Sequence, residues 1–227
     1  FPVTVQRSMI RKEIPFSLAI TLLLLVLSNA ILGQKEKILT RFEAFIFLLL
    51  FIVFLYYTFK QSAKEENIET IKTKHLNTGK IWVLIVIGLS LLVAGGRMVV
   101  TGAENIALDL GISEKIIALT IVAAGTSLPE LVTSVVAASK KNSDIAIGNV
   151  IGSNIFNLLF ILPVSAVIHP VSYATTFNRE MLLLIGGTII GILYMFAGKR
   201  YKVDRWEGAL LLGVLLAYTI FLIQQEL

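Results

Sequence analysis

Two short polar segments interrupt stretches of this chain that are otherwise apolar enough to cross a membrane. The first, GTSLPE at residues 125–130, places two hydroxyls, a proline and the carboxylate of Glu130 next to one another. An ionisable side chain at membrane depth costs free energy and usually marks a functional site. Hydroxyl, carbonyl and carboxylate oxygens are the ligands that Na⁺ and Ca²⁺ prefer. The segment therefore predicts a cation site.

Pro129 determines the local backbone of this segment. It has no amide hydrogen, and its ring clashes with the carbonyl of Gly125, so we expect the helix to break there and to free backbone carbonyls. Thr126 and Ser127 precede Glu130 by four and three residues, which places both hydroxyls on the carboxylate's face of a helix. The simpler interpretation is a kinked helix whose Glu130 is ion-paired at the membrane surface. The hydroxyls and the glycine favour ligation.

The second segment, GNVIGSNIFN at residues 148–157, lies in the next apolar stretch. Asn149, Ser153 and Asn157 recur every four residues and share one helix face. The two glycines form a small-xxx-small pair that allows close helix packing. We expect Ser153 and Asn157 to be cation ligands, because the neighbouring helix already offers a carboxylate, and we expect the glycines to serve packing.

The predicted ligand set is incomplete for Ca²⁺. This ion usually takes six to eight oxygens and more than one negative charge, whereas the two segments supply Glu130 as their single carboxylate. A Na⁺ site would have no such shortage. We therefore expect the remaining Ca²⁺ ligands to come from residues outside this chain.

The composition predicts an all-α integral membrane protein. Charged residues make up 15% of the chain, the mean hydropathy is +0.83, and soluble domains usually carry roughly 25% charged residues. Stretches of about 20 apolar residues have the length of a helix that spans a bilayer. We predict about seven transmembrane helices, at residues 14–32, 41–59, 81–101, 115–138, 144–168, 179–197 and 206–224.

Several function classes are disfavoured by the residues that are absent or scarce. The chain has no cysteine and only two histidines, which argues against a thiolate or histidine metal centre. Ser127 has no evident activating base, so we do not expect an enzyme. The formal charge of +5 reflects basic loops rather than a nucleic-acid partner, because such loops are typical of the cytoplasmic side of membrane proteins. No cofactor is expected.

The basic residues also predict the orientation. They cluster at 7–12, 60–80, 140–141 and 199–205, on one side of the predicted helices. By the positive-inside rule this side is cytoplasmic. Residue 1 and the polar segment 61–80 are then inside, Leu227 is outside, and the protein lies in the plasma or inner membrane, surrounded by lipid.

Short segments recur in the chain in the same order. FPVT at 1–4 is echoed by HPVS at 169–172, and TRFEA at 40–44 by DRWEG at 204–208. Residues 1–60 are thus predicted to be the last two helices of a first repeat. Residues 61–80 are then a cytoplasmic linker, and residues 81–227 form a second repeat of five helices. We expect three helices of the first repeat to precede Phe1, giving two five-helix units of opposite orientation, as in many secondary transporters.

The two motifs together resemble the second α-repeat of the cation/Ca²⁺ exchanger superfamily, and in particular that of prokaryotic Na⁺/Ca²⁺ exchangers. The whole chain is similar to helices four to ten of such a ten-helix antiporter. The resemblance implies a fixed core along which two gating helices slide, one from each repeat, and the second-repeat one lies around residues 81–101. It also implies Na⁺ and Ca²⁺ as transported ions. It implies that the missing N-terminal half brings a matching motif with its own glutamate. The cation ligands that it implies are the carbonyl of Ala123, Thr126, Ser127, Glu130, Ser153 and Asn157.

Three alternatives stay open. K⁺-dependent relatives carry an aspartate where this chain has Asn157, which argues for a K⁺-independent exchanger. In a Ca²⁺/H⁺ exchanger Glu130 would be protonated in turn, although H⁺-coupled members usually carry another motif there. A membrane scaffold that transports nothing is the most distant alternative, and it would tolerate loss of the Glu130 carboxylate.

Overall fold

A computed structural model describes residues 3–29, 38–62, 77–173, 177–197 and 201–226. Helices dominate this part of the chain, and the strands are only two residues long. In chain order the elements are β1 Val3–Thr4, a π-helix Met9–Glu13, α1 Ile14–Ser28, β2 Ile38–Leu39, α2 Arg41–Ser62, α3 Thr78–Asp109, α4 Glu114–Ile117, a π-helix Ala118–Val122, α5 Ala123–Thr126, α6 Leu128–Ser139, α7 Ser143–Phe156, a π-helix Asn157–Ile161, α8 Leu162–Ile168, β3 Val171–Ser172, α9 Phe177–Ala197, β4 Lys202–Val203 and α10 Arg205–Glu226.

The all-α membrane fold that the sequence predicts is confirmed. Within the described residues, five helices are long and apolar enough to cross a membrane. A bent pair of helices would be a sixth span if its two parts cross the membrane together. Helix α1, with 15 residues, covers the predicted span 14–32 only in part, and residues 30–37 lie outside the described part of the chain. The five spans are Arg41–Gln61, Thr78–Asp109, Ser143–Ile168, Phe177–Phe196 and Arg205–Gln225.

Asparagine side chains cap two of the long helices. The Asn77 side chain accepts a hydrogen bond from the backbone N–H of Gly79 at the start of α3. The side chain of Asn142 accepts one from Ile145 N–H at the start of α7. Each cap satisfies a backbone donor that has no partner within the helix.

The chain divides into two compact units. The first comprises residues 1–66 and 137–208, and its largest core joins α1, α2, α7 and α8 around the fully buried side chains of Phe47 and Leu159. A smaller core around Ile10 and Met195 packs the start of α1 against α9. Both of these apolar cores lie within the first unit.

Two short antiparallel ladders tie together the connections between helices of the first unit. Strand β1 pairs with β4, with Val3 opposite Val203. Strand β2 pairs with β3, with Leu39 opposite Val171. The internal sequence similarity relates the two ladders. Residues 1–4 are similar to 169–172, and the segment that opens α2 is similar to the one that opens α10. The pair Val3 and Val203 therefore corresponds to the pair Val171 and Leu39, in the same register.

Helices α2 and α10 also begin in the same way. The carboxylate of Glu43 accepts hydrogen bonds from the backbone N–H and the hydroxyl of Thr40, both at 2.8 Å. The carboxylate of Glu207 accepts one from the backbone N–H of Asp204 at 2.7 Å. Both glutamates are almost fully buried. A carboxylate in the first turn that binds back to the capping residue stabilises a helix start.

The second compact unit comprises residues 67–136 and 209–227. Within its described part, α3 packs along α4, the π-helix Ala118–Val122 and α5. Most of the surface of α3 is exposed apolar side chain, as expected of a helix that faces lipid. This unit contains the whole GTSLPE segment.

Candidate cation site

The GTSLPE segment forms a broken helix. Helix α5 ends at Thr126 and α6 begins at Leu128, with an angle of 54° between the two parts. The break predicted from Pro129 is therefore confirmed. It lies at Ser127, so Thr126 and Glu130 belong to different helices. The four-residue spacing aligns side chains only where a helix continues, so it does not by itself place Thr126 and Glu130 on one face.

Two of the expected ligand oxygens lie close together in α5, next to the break. The hydroxyl of Thr126 donates a hydrogen bond to the carbonyl of Ala123 at 2.9 Å. Ser127 caps the turn, with its backbone N–H bonded to the carbonyl of Ala124 at 3.1 Å. Thr126 and Ser127 are both exposed. The hydroxyls are thus within reach of a cation beside the break.

Glu130 lies in the first turn of α6. The positive end of the helix dipole stabilises a carboxylate at this position. The residue is half-buried, and its Oε2 atom is shielded from solvent. A shielded carboxylate oxygen beside a broken helix is the chemistry that a hard cation requires.

Helix α3 packs directly against this break. An added Cβ on Gly125 would overlap the Cγ2 methyl of Val100, and it would lie 3.3 Å from the Val100 Cβ. The ring of Pro129 lies 4.0 Å from the position of a Cβ on Gly96. Sequence reasoning identified Gly125 only as a small neighbour of the ligands. The run of small residues before Thr126 indicates close packing, but it does not identify Val100 as the residue in contact.

The ligands expected from the second motif lie in the other compact unit. Ser153 is half-buried in α7, and its hydroxyl donates to the carbonyl of Val150 at 3.0 Å. Asn157 is exposed and is the first residue of a π-helix. The structure thus brings together Ala123, Thr126, Ser127 and Glu130 in one unit, and Ser153 and Asn157 in the other.

π-helices accompany both motifs, and sequence reasoning missed them. One ends at Val122, directly before Ala123, and the other begins at Asn157. Such wide turns are rare and often occur at functional sites. The residues of these segments do not distinguish a π-turn from an α-turn, so the sequence offered no signal for them.

In the part of the chain that the structure describes, acidic residues, histidine and cysteine do not form a cluster that suggests a second metal centre. Among the described residues, no group of three or more of them could hold a metal ion. Neutral oxygens around one carboxylate therefore remain the ligand chemistry that the described part of this chain offers.

Comparisons with known proteins point to one family. The model of the sodium/calcium exchanger protein family matches residues 80–224. The chain is 35% identical over 230 residues to CaxA of Alkalimonas amylolytica, covering 97% of this chain and 70% of CaxA. It is 37% identical over 141 residues to the sodium/calcium exchanger MaX1 of Methanosarcina acetivorans, covering 61% of this chain and 39% of MaX1.

The fold agrees with that of a solved exchanger. The sodium-calcium exchanger NCX_Mj superposes with a TM-score of 0.71 and 30% sequence identity, over 100% of this chain and 68% of the exchanger chain. The 227 residues therefore span about two thirds of the solved exchanger, and a smaller share of MaX1.

Proposed function

The chain belongs to the sodium/calcium exchanger protein family, an integral membrane family of cation antiporters, and on this basis we propose that the complete protein exchanges Na⁺ for Ca²⁺. The observation that supports the proposal most is the broken helix at Ser127. Thr126 and the carbonyl of Ala123 lie at the end of its first part, and Glu130 lies in the first turn of its second part. Broken helices at membrane depth commonly form the ion sites of secondary transporters.

The proposed ligands on this chain are the six residues expected from the sequence. In one compact unit they are the carbonyl of Ala123, the hydroxyls of Thr126 and Ser127, and the carboxylate of Glu130. In the other they are Ser153 and Asn157. The shielded Oε2 of Glu130 supports its role as the charged ligand. The hydrogen bond between Thr126 and the carbonyl of Ala123 supports the roles of these two residues, because it holds their oxygens 2.9 Å apart, close enough for one cation to contact both.

A second carboxylate is required for tight Ca²⁺ binding, and we assign it to a first-repeat motif outside these 227 residues. Residues 1–60 would then be the last two helices of the first repeat, residues 61–80 the cytoplasmic linker, and residues 81–227 the second repeat. Two observations support this division. The ladders β1–β4 and β2–β3 have equivalent registers, and Glu43 and Glu207 make equivalent contacts.

Transport would follow from alternating access to one fixed site. Na⁺ and Ca²⁺ compete for the same oxygens, so that binding of one ion from either side releases the other. The basic segments around Arg7 and Lys202 would face the cytoplasm. Residues 63–76 of the linker lie outside the described part of the chain. We expect no flux from residues 1–227 alone, because the second charged ligand would be absent.

Ca²⁺ uptake into vesicles that contain the full-length protein tests the proposal. An imposed Na⁺ gradient should drive uptake, and a pH gradient without Na⁺ should not. Uptake driven by the pH gradient alone would identify a Ca²⁺/H⁺ exchanger. Absence of uptake with every gradient would favour a membrane protein that does not transport.

A further inference from the structure

A cavity of about 340 Å³ opens between the start of α1 and the last turns of α2, within the first compact unit. Its volume falls in the range of roughly 300–1,000 Å³ that is usual for ligand pockets. The rings of Phe16 and Phe54 are stacked at 5.1 Å and form one of its walls. The other lining residues are Lys12, Glu13, Leu50, Val53 and Tyr57.

The mouth of the cavity carries a positioned cation. The ammonium group of Lys12 donates a hydrogen bond to the side-chain oxygen of Gln61 at 2.9 Å, and it lies 5.2 Å from the centre of the Tyr57 ring. The hydroxyl of Tyr57 donates to the same oxygen of Gln61 at 2.6 Å. An ammonium group has three donors, so Lys12 can bind an anion while it keeps its bond to Gln61.

The cavity follows part of α2, which is long and apolar enough to cross a membrane. Tyr57 and Gln61 lie in the last turns of α2, where tyrosine and lysine side chains meet the lipid headgroups. Leu50 lies two turns before Tyr57, so it is about 10 Å farther from this end of α2 by the rise of an α-helix. If α2 crosses the bilayer, the polar end of the cavity lies at headgroup level and its apolar walls extend into the hydrocarbon region.

We propose that this cavity binds one acyl chain of an anionic phospholipid whose phosphate contacts Lys12. The apolar walls suit the chain, and the lysine suits the phosphate. Arg11 and Lys60, the sequence neighbours of Lys12 and Gln61, are exposed, whereas Glu13 is the one acidic residue that the cavity lining includes. The local excess of positive charge favours a lipid with net negative charge over a zwitterionic one. This site is distinct from the proposed cation ligands.

Native mass spectrometry of the full-length protein tests this site. The probes are phosphatidylglycerol and phosphatidylcholine with identical acyl chains. The wild-type protein should retain phosphatidylglycerol at lower lipid concentration. Lys12→Gln should weaken that binding about tenfold, the effect of losing one charge-assisted hydrogen bond. Lys12→Arg should retain most of it. Lys202→Gln removes an exposed lysine from strand β4, away from the cavity, and is the matched control.

A second variant tests the cavity itself. Val53→Trp fills it from the exposed side and should weaken the binding of both lipids, while the melting temperature stays near that of the wild type. The proposal is overturned if Lys12→Gln and Lys202→Gln bind phosphatidylglycerol equally well. It is also overturned if the two lipids bind equally to the wild type. Unchanged binding in Val53→Trp would show that another part of the protein covers the cavity, and it would overturn the proposal as well.

Discussion

Gly125 lies so close to Val100 that a methyl group on Gly125 would overlap the valine side chain. This contact joins the broken helix that carries Glu130 to α3, the long helix in the same compact unit. The family resemblance implies that α3 is a gating helix. Close packing at Gly125 therefore sets the distance between that helix and the ligands.

Substituting Gly125 by alanine should disturb this packing. Overpacking of this kind typically costs about 1–3 kcal/mol, so we expect a lower melting temperature and much slower Na⁺-driven Ca²⁺ uptake by the full-length protein. Val100→Ala in the same protein should restore part of both. Gly102→Ala is the matched control, because a Cβ there meets nothing within 4 Å. Equal effects of Gly125→Ala and Gly102→Ala would contradict this account.

Glu43 and Glu207 provide a test of the internal repeat. Glu43→Ala removes the acceptor of both Thr40 hydrogen bonds and should reduce the free energy of unfolding by about 1–2 kcal/mol. Glu207→Ala should have a similar effect at the start of α10. The corresponding glutamine variants keep an acceptor oxygen and should be milder. Thermal unfolding in detergent measures all four. A repeat with equivalent helix starts predicts similar losses of unfolding free energy at the two positions. Alanine variants that are as stable as the wild type would count against the repeat.

Tyr173 lies outside the membrane spans and provides a test that depends on pH. The Tyr173 hydroxyl donates a hydrogen bond to Asn178 at 2.7 Å. Burial raises the pKa of its phenol above the ordinary value of about 10, the polar side chain of Asn29 lowers it, and the nearby Glu180 carboxylate raises it further. Glu180→Gln should therefore lower this pKa. Phenolate absorbance, with Tyr173→Phe subtracted, measures it. An unchanged midpoint in Glu180→Gln would refute the electrostatic contribution.

The same shift predicts how stability depends on pH. The unfolded chain loses the phenol proton first, since its pKa is the lower one. The contribution of Tyr173 to stability is thus fully present below about pH 10 and decreases as the pH rises towards the pKa of the folded state. Tyr173→Phe should remove this alkaline decrease.

Coupling to K⁺ can be tested at Asn157. Because this residue is an asparagine where K⁺-dependent relatives carry aspartate, replacing K⁺ by choline should leave Na⁺-driven Ca²⁺ uptake unchanged. Asn157→Asp adds a carboxylate among the proposed ligands and should make the rate sensitive to K⁺. Loss of uptake by the wild type without K⁺ would identify a K⁺-dependent exchanger instead.

Much of the fold could be predicted because its determinants are local in sequence. The apolar runs give the long helices, and Pro129 gives the break, since a missing amide hydrogen acts within one helical turn. The position of the break at Ser127 required the structure. The residue at which the first part of the helix ends depends on packing against α3. The contact of Gly125 is with Val100, which is far away in the sequence.

A π-helix and a cavity could not be predicted from the sequence either, because they also depend on tertiary packing. The π-helix that begins at Asn157 leaves no distinctive residue pattern. The cavity beside Lys12 exists only because α1 and α2 pack side by side, with Phe16 stacked on Phe54. Tertiary packing, which no single segment encodes, decides each of them.

The central claim is that Glu130 is the charged cation ligand of this half of the site, and Na⁺-driven Ca²⁺ uptake by full-length Glu130→Gln tests it most directly. Loss of a charged ligand should slow uptake about 10- to 100-fold in protein whose melting temperature is unchanged. Glu207→Gln, which alters another carboxylate at a helix start, should transport at the wild-type rate. Uptake by Glu130→Gln at the wild-type rate would contradict the account.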